Sequence, residues 1–374
     1  MKIVIDSGIP FIRGIFESVA TVVYIPGIKI TKTEIIDADA LIIRTRTHCD
    51  RKLLHDTNIK VICSATIGYD HINTKYCESM GIKWHTVPGC NANSVAQYFL
   101  ASLSVLSNVE KFSFDKITVG VIGYGNVGKL IVNYCKTLGI RTLVNDPPLS
   151  EIDSSIIYTP LNEVIEGSNI LTFHTPLTLE GKYSTYQFVD YKLLCKAQPK
   201  TSVINTSRGE IINEEDLIRL KFSGIIGHTI MDVWMNEPDI NQNLLYSNLL
   251  STSHIAGYSA DGKFNGTLGC VRHICNEFAL PPLENNMVFP PTPLNSNLIA
   301  DCLDKRFEDI FSEVILQTYN ILEDSKLLKN NYLSFEAIRN NYPTRREFGS
   351  YLLSLKNSSI ETRQKFGLLG FNLV

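Results

Sequence analysis

Gly123, Gly125 and Gly128 stand in the spacing G-x-G-x-x-G, and Asp146 follows 18 residues after the last of them. Glycines so spaced suit a phosphate-bearing ligand. The first makes a tight turn, the second lets the backbone approach a pyrophosphate, and the third lets a helix pack on its strand. An acid at that remove can bond both hydroxyls of a ribose, and its charge repels a 2′-phosphate, which favours NAD over NADP. Further along, Thr175, Arg208, Asp232, Glu237 and His254 each follow an apolar run. These residue types fit hydride transfer from a secondary alcohol. A histidine titrates near neutrality and can take the hydroxyl proton. Glu237 can hold its second nitrogen, and an arginine grips a carboxylate with two parallel hydrogen bonds, which lysine does less well. Singly, each has a bland alternative: a turn acid, a loop cation, a satisfied histidine. Their recurrence on successive strand ends after a dinucleotide motif points to a dehydrogenase.

The elements that must position these groups are legible as periodicity. Ile117–Ile122 is a β-rich run before the glycines, residues 126–138 carry Val127, Leu130, Ile131 and Tyr134 on one helical face, and Ile140–Val144 leads to Asp146. Strands are expected at 2–5, 21–24, 40–43 and 60–63, and helices near 11–18, 52–56 and 74–80. Alternation of this kind implies a parallel sheet with helices on both faces. Loops after the third and fourth strands, Arg44–Thr47 and Ala65–Gly68, offer hydroxyls, N–H groups and two cations. Residues 91–106 read as a long apolar helix capped by Asn93 or Ser94. Strands then end in HTP, NTSRG, MDVWMNEP and HIAGYS, a helix spans 261–279, and prolines at 281–282 and 290–293 mark a boundary. Beyond it, 297–329 reads as mostly helical, with strands at 350–355 and 371–374 around a helix at 359–367. The expected division is 1–93 with 257–280, 94–256, and 281–374.

The chain has 374 residues, 44% hydrophobic and 20% charged, with a formal net charge of −3. No basic excess argues for a nucleic-acid or anionic-membrane partner. Nine scattered cysteines without a CxxC pair argue for reduced thiols in a cytoplasmic protein, against a disulfide frame or a metal site. No apolar run reaches 18 residues, so no membrane span is expected.

GYGNVG, INTSRG, MDVWMNEP and SHIAGYS resemble the signatures of the D-2-hydroxyacid dehydrogenase family, and ATIGYDHIN, PGCNANSVAQY, NDPP, LTFHTPLT and NNYPTRREF extend the likeness along the whole chain. The resemblance implies two Rossmann-like doubly wound parallel-sheet domains, the first flavodoxin-like and substrate-binding, the second NAD-binding, with the active site in the cleft. A small C-terminal α+β domain for dimerisation would follow them. It implies NAD as cofactor, no metal, a small phosphorylated hydroxy acid as substrate, and a homodimer. Carried over by position, Arg208, Glu237 and His254 are the catalytic trio. Asn126, Val127, Asp146, Thr175, Thr206, Ser207, Arg208, Asp232 and Gly257 join the three glycines at the cofactor, and Thr45, Thr66 and Tyr258 face the substrate. Thr45 stands where serine is usual, and Ser253 replaces the common proline before the histidine, which would loosen that loop. Two rivals are another member, such as a phosphoglycerate dehydrogenase, and an NAD-sensing corepressor on the same scaffold. The tail also holds Arg345-Arg346 as candidate phosphate ligands, and Ile299, Leu303, Phe307, Ile310 and Val314 as an apolar stripe for a second subunit.

Overall fold

The computed structural model describes residues 1–374. The chain divides into two compact units, residues 1–91 with 259–291 and residues 92–258 with 292–374. The boundaries read at 93/94 and 256/257 fall two residues from these, and the one at 280/281 falls eleven residues short. Residues 281–291 belong to the first unit, and the tail clusters with the second unit.

In the first unit, β1 (Lys2–Asp6), β2 (Thr21–Ile25), β3 (Ala40–Ile43), β4 (Val61–Ser64) and β5 (Lys83–His85) form one sheet in the order β2-β1-β3-β4-β5. All pairs are parallel. The central strands β3 and β4 are buried along their whole length, as expected where both faces are covered. Residues 11–18 do not form the expected helix. Pro10 precedes them, and Phe11 and Gly14 take positive φ (61° and 83°), so the chain turns repeatedly while Ile12, Ile15 and Phe16 plug the core.

In the second unit, β6 (Thr118–Ile122), β7 (Arg141–Asn145), β8 (Ile170–Phe173), β9 (Thr201–Asn205), β10 (Ile226–Met231) and β11 (Leu250–Ser251) run in the order β11-β10-β9-β8-β6-β7, all parallel. The direction of winding reverses between β6 and β8, where loops diverge and open sheets take their ligands. The helix Ala92–Glu110 buries 15 of its 19 residues, so it is core on nearly every side. It starts at Ala92, ahead of where a Ser94 cap would place it, and Ser94 is a fully buried helical residue.

The tail forms a third sheet, β12 (Asn297–Asp301), β13 (Leu352–Lys356) and β14 (Asn372–Leu373), again parallel. β12 was expected to be helical, but its five residues alternate exposed and buried, the period of a one-faced strand. The helix Phe307–Thr318 turns Ile310, Phe311, Val314 and Ile315 into one core with Leu103, Leu106 and Phe114. Much of the apolar stripe is therefore interior, while Ile299 and Leu303 stay exposed.

Candidate active site

Strand β6 is followed by Gly123, whose φ is +95° and whose missing Cβ would lie 2.7 Å from the His174 carbonyl carbon. A Cβ on Gly128 would meet the Gly123 oxygen at 2.1 Å, so the helix Asn126–Leu138 seats on this turn only with glycine there. Gly125 faces open space and caps that helix without a side-chain hydrogen bond. The helix therefore presents its first-turn N–H groups and dipole to an open approach, with Asn126 exposed and Val127 half-buried beside them. The Asp146 oxygens accept from Tyr124 N (2.8 Å) and Leu149 N (3.0 Å). Each keeps lone-pair capacity for a ribose hydroxyl. Across the switch point, the Thr175 hydroxyl is buried without a partner. An orphaned hydroxyl beside a glycine turn and an open helix end fit a dinucleotide.

The turn after β9 is locked from within. Asn205 donates to Arg208 O (2.9 Å) and accepts from Ser207 N and Oγ (3.1 and 2.9 Å). Ser207, expected at the cofactor, is thus committed inside the turn. Gly209 is needed next, because a Cβ there would lie 1.9 Å from the Trp234 carbonyl carbon. That close approach presses the Arg208 turn against the loop after β10. Thr206 shares a hydrogen bond with His174 Nδ1 (3.3 Å), whose Nε2 meets Thr172 Oγ1 (2.8 Å). Desolvation pushes the His174 pKa down to about 3, so this ring is a neutral spacer.

Arg208, Glu210, Trp234, Met235, Glu237 and His254 line one cavity of about 310 Å³. His254 Nδ1 lies 2.8 Å from Glu237 Oε2, and Glu237 Oε1 accepts from Trp234 N at 3.0 Å. Burial alone would raise the Glu237 carboxyl; the charge and hydrogen bond of His254, the charge of Arg339 and the Trp234 N–H together hold it below the usual carboxylate range. An ionised carboxylate only accepts, so Nδ1 carries a proton and Nε2 is the ring nitrogen left for a substrate.

Asp232 was expected to face the cofactor. It is 1% exposed, and its carboxylate accepts from Thr252 Oγ1 (2.6 Å), Ile255 N (2.8 Å) and Ala256 N (2.9 Å), while its carbonyl accepts from His254 N (2.7 Å). It anchors the histidine loop, in which Ser253 is buried. Arg345, half of the supposed phosphate pair, is buried and donates to Ser94 Oγ, Ile255 O (3.4 Å) and Ala256 O (2.5 Å). Its guanidinium also stacks 4.2 Å over Tyr319. It braces the same loop from behind through Nη2, a role that a basic pair read as phosphate ligands does not announce. Gly257 and Tyr258 follow, both half-buried.

In the first unit, Thr45 is exposed after β3, and Thr66 after β4 bonds Ser64 Oγ (2.7 Å) and Gly68 O (3.3 Å). Arg44 is paired with the buried Asp6 at 3.0 Å, which makes it structural.

Residues 103–256 match the NAD binding domain of the D-isomer specific 2-hydroxyacid dehydrogenases, and residues 6–124 match their catalytic domain. An erythronate-4-phosphate dehydrogenase of Bacteroides thetaiotaomicron is 44% identical over 94% of this chain and 98% of its own. The chain belongs to the D-isomer specific 2-hydroxyacid dehydrogenase family. It is an NAD-dependent dehydrogenase with the fold of that family. A second relative of the same name, from Salmonella arizonae, is 34% identical over 100% of this chain and 99% of its own. Residues 288–367 match a domain of unknown function, DUF3410. Among solved structures, NAD-bound 3-phosphoglycerate dehydrogenase of Entamoeba histolytica aligns at TM-score 0.63 and 26% identity, over 75% of this chain and 95% of its own. D-lactate dehydrogenase of Aquifex aeolicus, complexed with NAD and lactic acid, aligns at TM-score 0.64 and 22% identity, over 77% and 99%. No helix is long and apolar enough to cross a membrane, and no three His, Cys, Asp or Glu side chains gather as a metal site.

Proposed function

We propose that the enzyme oxidises 4-phospho-D-erythronate to 2-oxo-3-hydroxy-4-phosphobutanoate, a step towards pyridoxal 5′-phosphate. The observation that carries the chemistry is the His254–Glu237 pair sharing one cavity with Arg208. For the substrate, the support is that relatives named for it match 94% and 100% of the chain. When bound, NAD supplies the hydride acceptor. The glycine turn, Asn126, Val127, Thr175, Thr206, Gly257 and Asp146 would hold it. His254 Nε2 takes the hydroxyl proton as the C–H bond breaks. Glu237 steadies the imidazolium that results, and Arg208 grips the substrate carboxylate and the oxygen on which charge develops. Tyr258 in the second unit, and Thr45 and Thr66 at strand ends of the first, are assigned to substrate.

We also assign the tail to homodimer formation: Ile299 and Leu352 lie exposed on one face of β12 and β13, while Leu298, Ala300, Leu353 and Leu355 fill the other. The scattered cysteines, none in a disulfide, support a cytoplasmic setting. Purified enzyme with NAD should reduce the cofactor on 4-phosphoerythronate at least tenfold faster than on 3-phosphoglycerate. The reverse preference would assign it to the phosphoglycerate branch, and no turnover on either would favour the sensing role.

A further inference from the structure

The cavity beside His254 is poorly charged for the substrate proposed above. Its lining holds one arginine, Arg208, against two carboxylates, Glu210 and Glu237. A phosphorylated hydroxy acid brings a carboxylate and a phosphate of nearly two charges. Arg208 can answer one of these groups and leaves the other without a cation in this unit's cavity.

The tail brings another cation to the place. Arg339 lies in the short helix Phe335–Asn340, and its guanidinium carbon sits 5.6 Å from the centre of the Tyr258 ring. Its Nε is buried and has no hydrogen-bond partner. Burial of such a donor without an acceptor costs free energy, so its persistence points to an acceptor that arrives with a ligand. Its charge reaches the catalytic pair, being one of the influences that keep the Glu237 carboxyl low. The segment is held at both ends: Phe335 is 1% exposed in the core with Leu244 and Leu328, and Arg345 clasps the carbonyls of Ile255 and Ala256. Between them, Tyr342 donates to Asp324 at 2.7 Å. The segment that carries Arg339 is therefore held in place before any ligand binds, which lowers the ordering cost of using it.

We propose that Arg339, from the tail, is a substrate-binding residue that holds the phosphate of the substrate beside the Tyr258 ring. This rests on the reading of the substrate as a phosphorylated hydroxy acid. Arginine suits the task because its planar fork matches phosphate oxygens with two donors, where a solvated lysine offers a point charge.

The test compares the full-length enzyme with Arg339→Gln and Arg339→Lys, each checked for unchanged melting temperature and NAD binding. By calorimetry with NAD present, inorganic phosphate should bind the unmutated enzyme and bind Arg339→Gln roughly 10–100-fold more weakly, the scale expected for removing one charge-assisted hydrogen bond. Arg339→Lys should recover part of the loss. In turnover, KM for 4-phosphoerythronate should rise by a similar factor, while KM for unphosphorylated erythronate stays level. Equal phosphate affinity in all three proteins, or no phosphate binding by any, overturns the proposal. So does an equal loss on both substrates, which would make Arg339 a positioning residue for Glu237. If phosphate binding depends on Arg339 but 4-phosphoerythronate is not oxidised, the substrate reading fails and the phosphate site stands.

Discussion

His254 has φ +57°, in the left-handed region that a non-glycine residue enters at a cost of about 1 kcal/mol. The surrounding bonds over-determine it: its own N–H on Asp232, the next two N–H groups on the Asp232 carboxylate, and Nδ1 on Glu237. That geometry aims one nitrogen at a carboxylate and leaves the other for chemistry. His254→Ala should lower kcat by roughly 10²–10⁴, the usual worth of a positioned base, and a variant with near-full turnover would remove His254 from that role. Glu237→Gln has a sharper signature. A carboxylate partner favours imidazolium, and oxidation needs the neutral ring, so the rise of turnover with pH should move to lower pH in the variant. A profile that does not move would leave Glu237 structural. The lowered Glu237 carboxyl also stabilises the fold above its ordinary pKa, and that contribution disappears as pH falls through the lowered value. His254, Glu237 and Arg208 were legible because chemistry restricts residue type. Asp232 reads as a cofactor residue from its place at a strand end, where an acid looks alike whether it faces a ligand or its own backbone; its anchoring of the histidine loop shows only in its burial and its donors.

At the scale of elements, the histidine loop hangs between two supports that no local pattern announces. On one side, Tyr98 Oη meets Thr252 Oγ1 at 2.7 Å, and that hydroxyl is spent on Asp232. On the other, Ser94 and Arg345 converge on Ala256 O. Both supports come from segments far away in the chain, beyond the reach of periodicity or capping rules. Ser94 read as a cap because serine favours that position, yet its hydroxyl bonds a carbonyl 162 residues away. Asp232→Asn tests the arrangement. An amide of the same shape replaces one carboxylate oxygen with an NH2 group, whose hydrogens then face either Ala256 N or Thr252 Oγ1 and Ile255 N, groups that donate in the native loop. The expected cost is about 1–3 kcal/mol of stability, the penalty for buried groups left unpaired. kcat should fall with it as the base loses its setting, and urea unfolding together with steady-state kinetics would measure both. Full stability with reduced NAD affinity would return Asp232 to the cofactor.

At the scale of the whole molecule, both parallel sheets were readable because buried parallel strands are nearly continuous apolar runs. In the tail, the strands at 350–355 and 371–374 and the helix between them were readable as well; β12 was not, because its one-faced alternation runs straight into a long helical stretch. The tail's helix Phe307–Thr318 also looked like a surface for another subunit when much of its apolar side already has a partner. Ile310, Phe311, Val314 and Ile315 share a core with the helix Ala92–Glu110, and Phe114 N donates to Glu308 at 2.9 Å. Removing the tail would therefore do more than abolish a dimer. A chain ending at Pro291 would expose the apolar side of Ala92–Glu110, the element that carries Ser94 and Tyr98 beneath the histidine loop. Such a chain should aggregate or lose its cooperative melting, rather than persist as an active monomer. The dimer needs a milder probe. Ile299 and Leu303 are exposed by 57% and 61%, so charged replacements there leave the core alone. If the tail joins two copies, Ile299→Lys with Leu303→Glu should shift the sedimenting mass from twice that of the chain to once, with melting temperature little changed. A well-folded, active chain ending at Pro291 would contradict the shared core, and a variant that stays dimeric would move the interface off this sheet.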